Sequence, residues 1–421
     1  MEFPRKKLYV ALGIAAGGTA FTLICHGWRG LGFSTFGRFG DFTDALTASL
    51  APCPYTDPFA VYCPFAYGLC GYLALLGPSM ATTFVFGLTM LGLAALLLQV
   101  LRPLTVGVVE LLLCTVGLLV FSHPVACCLD RGNLELPMAL MVSLALLYLR
   151  ERKWLPGWLC LLPAICLKLY PMLLMVLFVR SRHLVKMVAM GAAFLMINLI
   201  AMNSFAFSMG KKWKLWQGNL RFHHDHYIIG NWGFDGSASA WNACKAILGL
   251  AYPLVHEGEV VGPGFWLNQA FQVYTALALV FAVVVCLHVV LVEREFFRRA
   301  ILLLLLTSMA VPSGADYRLL FANIALIVMI LLPTRRSYDL VVTGLLAVVL
   351  VPQNGFLLSS FGFSDGTYQG IPVSILINPL CILFSIGLLI RDGLQLSSGP
   401  LMRQKLLRLI APVMRRPRTV G

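Results

Sequence analysis

Asp41 and Asp44 stand three residues apart in "FGRFGDFTDAL", directly after a Gly-rich, aromatic and cationic run. At i and i+3 the two carboxylates share one face of any helix that starts there. Such a pair can take up a proton or hold a polar ligand. The plainer alternative is capping, because Asp41 follows Gly40 and could be the N-cap of a helix over 42–50. Asp130, Arg131, Asn133 and Glu135 form a second group, at the start of the apolar run "LELPMALMVSLALLYL". An ionisable side chain at membrane depth costs about 2.5–3.5 kcal/mol at the bilayer centre and is a functional candidate by default. Its alternative is an interfacial Asp130–Arg131 pair with an Asn/Asp helix start. Lys168 lies in "AICLKLYPMLLM", between two apolar half-helices. Pro171 breaks the next turn and leaves carbonyls in need of partners. An ammonium there needs an anion, and a lipid phosphate is the candidate. The alternative is a lysine that snorkels to the interface.

The run "RFHHDHY", Arg221 to Tyr227, holds His223, His224, Asp225 and His226. These are too closely spaced for all to bind one ion from a regular element. A substrate-contacting loop, a two-ligand metal site and a plain solvated loop all remain open. Asp316, Tyr317 and Arg318 in "PSGADYR" stand at the mouth of a helix, where an Asp–Arg pair is expected. His123, before Pro124, reads as a capping or interfacial residue, and His288 as a satisfied core residue. Cys53 and Cys63 share one loop and could form a disulfide, though spacing does not decide it. The other cysteines are scattered through apolar runs, as small hydrophobes.

The elements that must position these groups follow from composition. The chain has 421 residues, is 59% hydrophobic and only 12% charged. Soluble domains carry about 25% charged residues, so a water-facing surface cannot be built from this chain. Runs such as "TTFVFGLTMLGLAALLLQVL" match the 20 or so residues that cross a hydrocarbon core of about 30 Å. The net charge of +14 does not point to nucleic acid, because Lys and Arg cluster at the ends of apolar runs. With all clusters on the cytoplasmic side, helices thread near 8–25, 79–101, 104–121, 134–149, 155–167, 169–180, 185–207, 271–292, 300–312, 317–333, 338–352 and 372–390. That is an all-α polytopic integral membrane protein with about twelve membrane helices and both termini inside. Residues 8–25 read as a retained first helix, not a cleaved signal. Residues 155–180 read as a short re-entrant pair around Lys168, with one kinked helix as the rival. Residues 26–78 form a first external loop whose "VYCPFAYGLCGYLALL" lies along the membrane as a helix. Residues 208–270 form a second external loop, and the basic tail reads as an anchor on the anionic inner leaflet.

The order of motifs resembles the polyprenol-phosphate-sugar-dependent glycosyltransferases of the GT-C superfold, glycosyltransferase family 87 in particular. The residues that carry the likeness are "GDF" at 40–42, "PYTDPFAVYCPFAY", Arg131-Gly132-Asn133 opening a helix, the basic "RERK", and Lys168-Leu169-Tyr170-Pro171 after it. The likeness covers roughly residues 35–190. The chain departs from the pattern in its Asp-x-x-Asp spacing and in Tyr62-Cys63-Pro64.

The resemblance implies a membrane enzyme that moves a hexose, taken as mannose, from a polyprenyl-phosphate donor to an extracytoplasmic glycan or glycolipid. It implies an inverting single displacement with Asp41 as base. Asp44 would orient Asp41 or bind a sugar hydroxyl. Lys168, with Arg131 or Arg318, would meet the leaving phosphate. Asn133, Tyr170, His223, His224 and His226 complete the expected substrate contacts. No cofactor is expected, although a divalent cation is possible. The expected organisation is one polytopic unit, with a catalytic module over 1–207, the external loop 208–270, C-terminal helices over 271–390 and a cytoplasmic tail over 391–421. The rival function is a secondary transporter or flippase for a lipid-linked sugar, which intramembrane charges and broken helices would also suit.

Overall fold

The computed structural model describes residues 2–26, 39–180, 184–229, 239–255, 263–309, 312, 316–353, 355–362 and 368–397. The basic tail from 398 onward and most of the cationic run before Asp41 lie outside the described residues.

The helices are α1 (Glu2–His26), α2 (Gly40–Leu50), α3 (Pro64–Ala74), α4 (Pro78–Leu101), α5 (Val108–Val120), α6 (His123–Arg131), α7 (Glu135–Arg150), α8 (Trp154–Leu167), α9 (Val176–Arg180), α10 (Leu184–Ser204), α11 (Met209–His223), α12 (Ala240–Val255), α13 (Pro263–Leu287), α14 (Phe296–Met309), α15 (Leu320–Leu331), α16 (Asp339–Val348) and α17 (Ser374–Ser397). Among the described residues five helices are long and apolar enough to cross a membrane: α1, α4, α10, α13 and α17, some extended by adjoining turns. The pair α5 and α6, bent by 60°, makes a sixth if it is one span. This is a multi-pass membrane protein. Each of the about twelve expected runs contains a helix, but several are too short to cross alone. Two of the short ones are packed inside instead. α14 and α15 are buried along nearly their whole length, and lipid-length helices such as α4 and α13 leave apolar residues exposed. Apolar periodicity cannot tell a lipid-facing run from a protein-enclosed one.

The positive clusters meet at one end of the bundle. The Arg5 Nε donates to the Leu104 carbonyl at 2.9 Å. The buried Lys7 Nζ donates to the Leu332 carbonyl, at the end of α15, at 2.9 Å. Arg335 stacks over Phe3, Arg150 over Phe297, Lys186 over Trp154 and Arg391 over Tyr338. Below these, Arg298 on α14 binds both oxygens of Asp339 on α16 at 2.7 and 2.9 Å, with both side chains fully buried. Arg336 forks onto Glu293 at 2.8 and 3.0 Å. α7 has 16 residues and so spans about 24 Å. Glu135 therefore starts it far from this charged end, where Arg150 finishes it.

Several expectations are corrected. The 208–270 segment is not a polar loop: α11, a π-helical turn over His224–Ile229, and α12 fill most of its described part. The turn after α16 is a small antiparallel hairpin, β1 (Leu357–Gly362) on β2 (Tyr368–Pro372), with a bulge between Leu357 and Ser359. Two strands this short leave little periodic signal. Cys53 and Cys63 are both free thiols. His288 is buried, as expected, but its Nε2 makes no hydrogen bond.

Candidate functional site

α2 starts abruptly. Phe39 before it takes the left-handed conformation at φ 60°, and its N–H donates to the Asp130 carbonyl at 2.7 Å. The partner is the end of α6, which closes on Gly132 at φ 64°. The Asn133 N–H reaches back to the Cys128 carbonyl at 2.8 Å, the six-to-one bond of a Schellman close. A Cβ on Gly132 would lie 2.9 Å from the Phe39 Cα. Glycine is thus required twice, for its dihedral and for the close approach of the two chains. That crossing brings Asp41 over Arg131.

Asp41 is not the N-cap of α2; it stands in the first turn, and its carboxylate points outward from the helix to two partners. The Arg131 Nη2 donates to Asp41 Oδ1 at 3.0 Å, and Arg131 Nε lies 3.3 Å from both oxygens. The Asn133 Nδ2 donates to Asp41 Oδ2 at 2.7 Å. The expected Asp130–Arg131 pair is therefore replaced by Asp41–Arg131. The Asp41 side chain is still 20% exposed and that of Arg131 40%. A carboxylate offers about four lone-pair positions, so a third donor can reach Asp41.

Asn133 continues the network inward. Its Oδ1 accepts from the Glu135 N–H at 3.1 Å and from Lys168 Nζ at 3.0 Å. Lys168 sits in extended backbone directly after α8, where the break frees its side chain from a helix face. Its ammonium also donates to Glu135 Oε2. Tyr170, in the 3₁₀ turn that follows, donates its hydroxyl to Glu135 Oε1. The anion at Lys168 is thus supplied by the protein: Glu135, fully buried, beside an ammonium only 8% exposed. This displaces both the snorkelling alternative and a lipid phosphate as the first partner of Lys168. The rings of Tyr62 and Tyr317 lie 4.9 and 5.4 Å from the ammonium.

The third cation enters from the 3₁₀ turn Asp316–Leu319 ahead of α15. Asp316 does not pair with Arg318. It faces His123 Nε2 at 3.4 Å, with both side chains buried, so His123 is neither a cap nor an interfacial residue. Arg318 faces the other way, its Nε 3.5 Å from Glu135 Oε1 and its guanidinium over the Tyr170 ring. Its side chain is 11% exposed. Nε and Nη1 are buried without a hydrogen-bond partner. Three cations, Arg131, Lys168 and Arg318, thus face two carboxylates, Asp41 and Glu135. The cluster carries one net positive charge and one guanidinium with donors to spare, which favours an anionic ligand.

Residues 59–314 match the family model described as Glycosyltransferase family 87. That is well over half of the 421 residues. The chain belongs to glycosyltransferase family 87. No curated protein and no solved structure gives a match. Membership makes the chain a membrane glycosyltransferase, and the transporter reading falls away. Of the cluster's main residues, Arg131, Asn133, Glu135 and Lys168 lie inside the matched stretch, whereas Asp41 precedes it and Arg318 follows it.

Other expected residues of this family 87 chain are divided. Asp44 is exposed, and the side-chain hydrogen bonds of Arg131 and Asn133 to a carboxylate go to Asp41. Partial desolvation, then the charges of Asp41 and Asp57, push its carboxyl above the ordinary range. His224 bonds its neighbour Asp225 at 3.0 Å, and His226 Nδ1 bonds the Phe222 carbonyl at 2.8 Å. The His224 ring also packs edge-on against Phe271 of α13, with centroids 5.4 Å apart. His223 stacks on Tyr227 at 4.8 Å. Burial, then Arg318 and His224, push His223 down to about 4, so it is neutral beside the cations. Tyr227, half-buried, feels both Arg131 and Asp41. His223 and Tyr227 therefore lie within electrostatic reach of the cluster. Among the described residues no three His, Cys, Asp or Glu side chains converge as metal ligands would. Tyr62, Tyr317 and Tyr227, which adjoin the cluster, were given no role by sequence reasoning. Glu135 did carry a signal, as a carboxylate at the start of an apolar helix that must find a buried counter-charge.

Proposed function

We propose that this family 87 chain transfers a hexose, mannose in the first instance, from a polyprenyl-phosphate donor to an extracytoplasmic glycan or glycolipid with inversion at the anomeric carbon. The observation that carries the reading is the guanidinium of Arg318, short of hydrogen-bond acceptors, in one cluster with the accessible carboxylate of Asp41. The leaving group is a lipid phosphate that gains charge as its bond to the anomeric carbon breaks. Arg318 receives that charge, with Lys168 and Arg131 adding to the positive field in a partly desolvated site. A phosphate leaves without a general acid. The attacking hydroxyl needs a base, and Asp41 takes its proton. One displacement with one base leaves no covalent sugar–enzyme species.

An apolar cleft supports a lipid-borne donor. It begins at Val125 and Leu320, two residues past Arg318, and runs beside α15 past Ile324 and Ile327 to Leu331, with α4 and α7 as walls. A polyprenyl chain fits its chemistry, while the headgroup stays at the cations. His223 and Tyr227 offer ring faces to the sugar or the acceptor.

The test is to incubate the purified protein with a panel of polyprenyl-phosphate sugars and an acceptor, and to score free polyprenyl phosphate. Release with one donor, dependent on acceptor, is expected. No release with any of them, or sugar transfer to the acceptor from nucleotide sugars alone, sinks the reading.

A further inference from the structure

Glu135 is the most deeply enclosed ionic group of the site, and the chemistry above does not use it. Its carboxylate is fully buried. It accepts from Lys168 Nζ at one oxygen and from the Tyr170 hydroxyl at the other, with Arg318 Nε 3.5 Å away. The carboxylate and its partners come from three places: Glu135 from the start of α7, Lys168 and Tyr170 from the break after α8, and Arg318 from the turn before α15. Lys168 in turn donates to Asn133 Oδ1 at 3.0 Å. That bond fixes which end of the Asn133 amide is the acceptor. The other end, Nδ2, must then donate to Asp41. A single carboxylate is thus tied to the acceptor side of the reaction through Lys168, Asn133 and Asp41, and to the donor side through Arg318.

We propose that Glu135 is a positioning residue for the transfer. It holds Lys168 on Asn133, so that Asp41 presents a lone pair to the acceptor hydroxyl. It also holds Arg318 at the edge of the cluster with its remaining N–H groups left for the donor phosphate. The assignment rests on the donor reading above. Its negative charge has a second consequence. It neutralises one of the cations, so that the leaving phosphate is bound firmly enough to depart from the sugar but not so firmly that it stays. Without it, Lys168 and Arg318 would both turn to the lipid phosphate, and Asn133 would lose its fixed orientation.

A purely structural Glu135 and a positioning Glu135 differ in one measurement. In Glu135→Gln the side chain keeps its shape and loses its charge. The expected result is a fall in kcat of about 10²-fold, the scale of a misplaced reacting group. It comes with inhibition by sugar-free polyprenyl phosphate that is tighter by about tenfold, the worth of one freed charge-assisted hydrogen bond. A fall in kcat with unchanged inhibition makes the residue structural and overturns the proposal, as does unchanged kcat. If the single variant does not fold, Glu135→Gln/Lys168→Gln removes the charge pair together. That double variant is expected to fold, with kcat still about 10²-fold down; kcat within threefold of wild type overturns the proposal. An inactive wild type would sink the donor reading separately. The comparison then passes to thermal shift with polyprenyl phosphate. A larger shift for Glu135→Gln than for wild type supports the role of Glu135, and an equal shift overturns it.

Discussion

Asp41 and Arg131 are 90 residues apart in the chain and 3.0 Å apart in the fold. Their contact joins the first turn of α2 to the last residue of α6, and every other group of the site is reached from it. Asp41→Asn keeps the shape of the side chain and removes the carboxylate proposed as base. Transfer should fall by about 10²–10⁴-fold, while expression and donor binding persist. The check is the rate of polyprenyl phosphate release together with donor binding. A variant with half the wild-type rate removes Asp41 from the mechanism.

Arg318→Gln removes the guanidinium whose Nε and Nη1 make no hydrogen bond. Because its proposed role is to the donor, the donor KM should rise by about tenfold or more, one charge-assisted contact being worth about 1.5–3 kcal/mol, and the acceptor KM should change little. Steady-state kinetics with each substrate varied in turn provides the measurement. Equal effects on both substrates would count against the phosphate contact.

Gly132→Ala forces a side chain into φ 64° and brings its Cβ to 2.9 Å from the Phe39 Cα. The dihedral alone costs about 1–2 kcal/mol. The neighbour is backbone and cannot swing aside, so α2 must shift from α6 and Asp41 must part from Arg131. A lowered melting temperature with a larger loss of kcat than of donor affinity is expected. Wild-type kinetics at a lowered melting temperature would show that the Phe39–Gly132 crossing does not set the position of Asp41.

His223 titrates near 4 in the fold, against an ordinary value of 6.5. Between those values the unfolded chain binds more protons than the folded one, so stability rises with pH across that window. The contribution is complete above about pH 6.5 and is lost as pH falls toward 4. His223→Gln has no such proton to take up. Its melting temperature should therefore drop less than that of wild type between pH 7.5 and pH 5. Parallel thermal melts at the two pH values decide it, and identical drops would show that His223 is not shielded from protons.

Asp339→Asn leaves the Arg298 guanidinium buried without its bidentate partner. Removing one member of a buried pair costs about 3–5 kcal/mol. The pair lies at the far end of the bundle, so the folded fraction should keep the wild-type donor KM. Yield of monodisperse protein and the KM of what remains are the two readings. A raised KM would mean that the charged end communicates with the site.

The sequence by itself determined that this chain is a helical membrane protein. Composition and run length leave no other way to satisfy the backbone in lipid. It also marked Asp41, Arg131, Asn133 and Lys168 as out of place, because a polar group among apolar neighbours is visible without coordinates. Which group meets which was decided only by the tertiary structure. Asp316 turns to His123 and not to Arg318; Arg131 turns to Asp41 and not to Asp130; Lys168 finds Glu135. For Asp316 and Arg131 the partner weighed was a neighbour along the chain, and for Lys168 a lipid phosphate; the fold supplies other partners. A buried charge pairs with whatever opposite charge the packing of distant helices brings within 3 or 4 Å. That packing also enclosed α14 and α15, whose apolar runs look the same whether lipid or protein surrounds them.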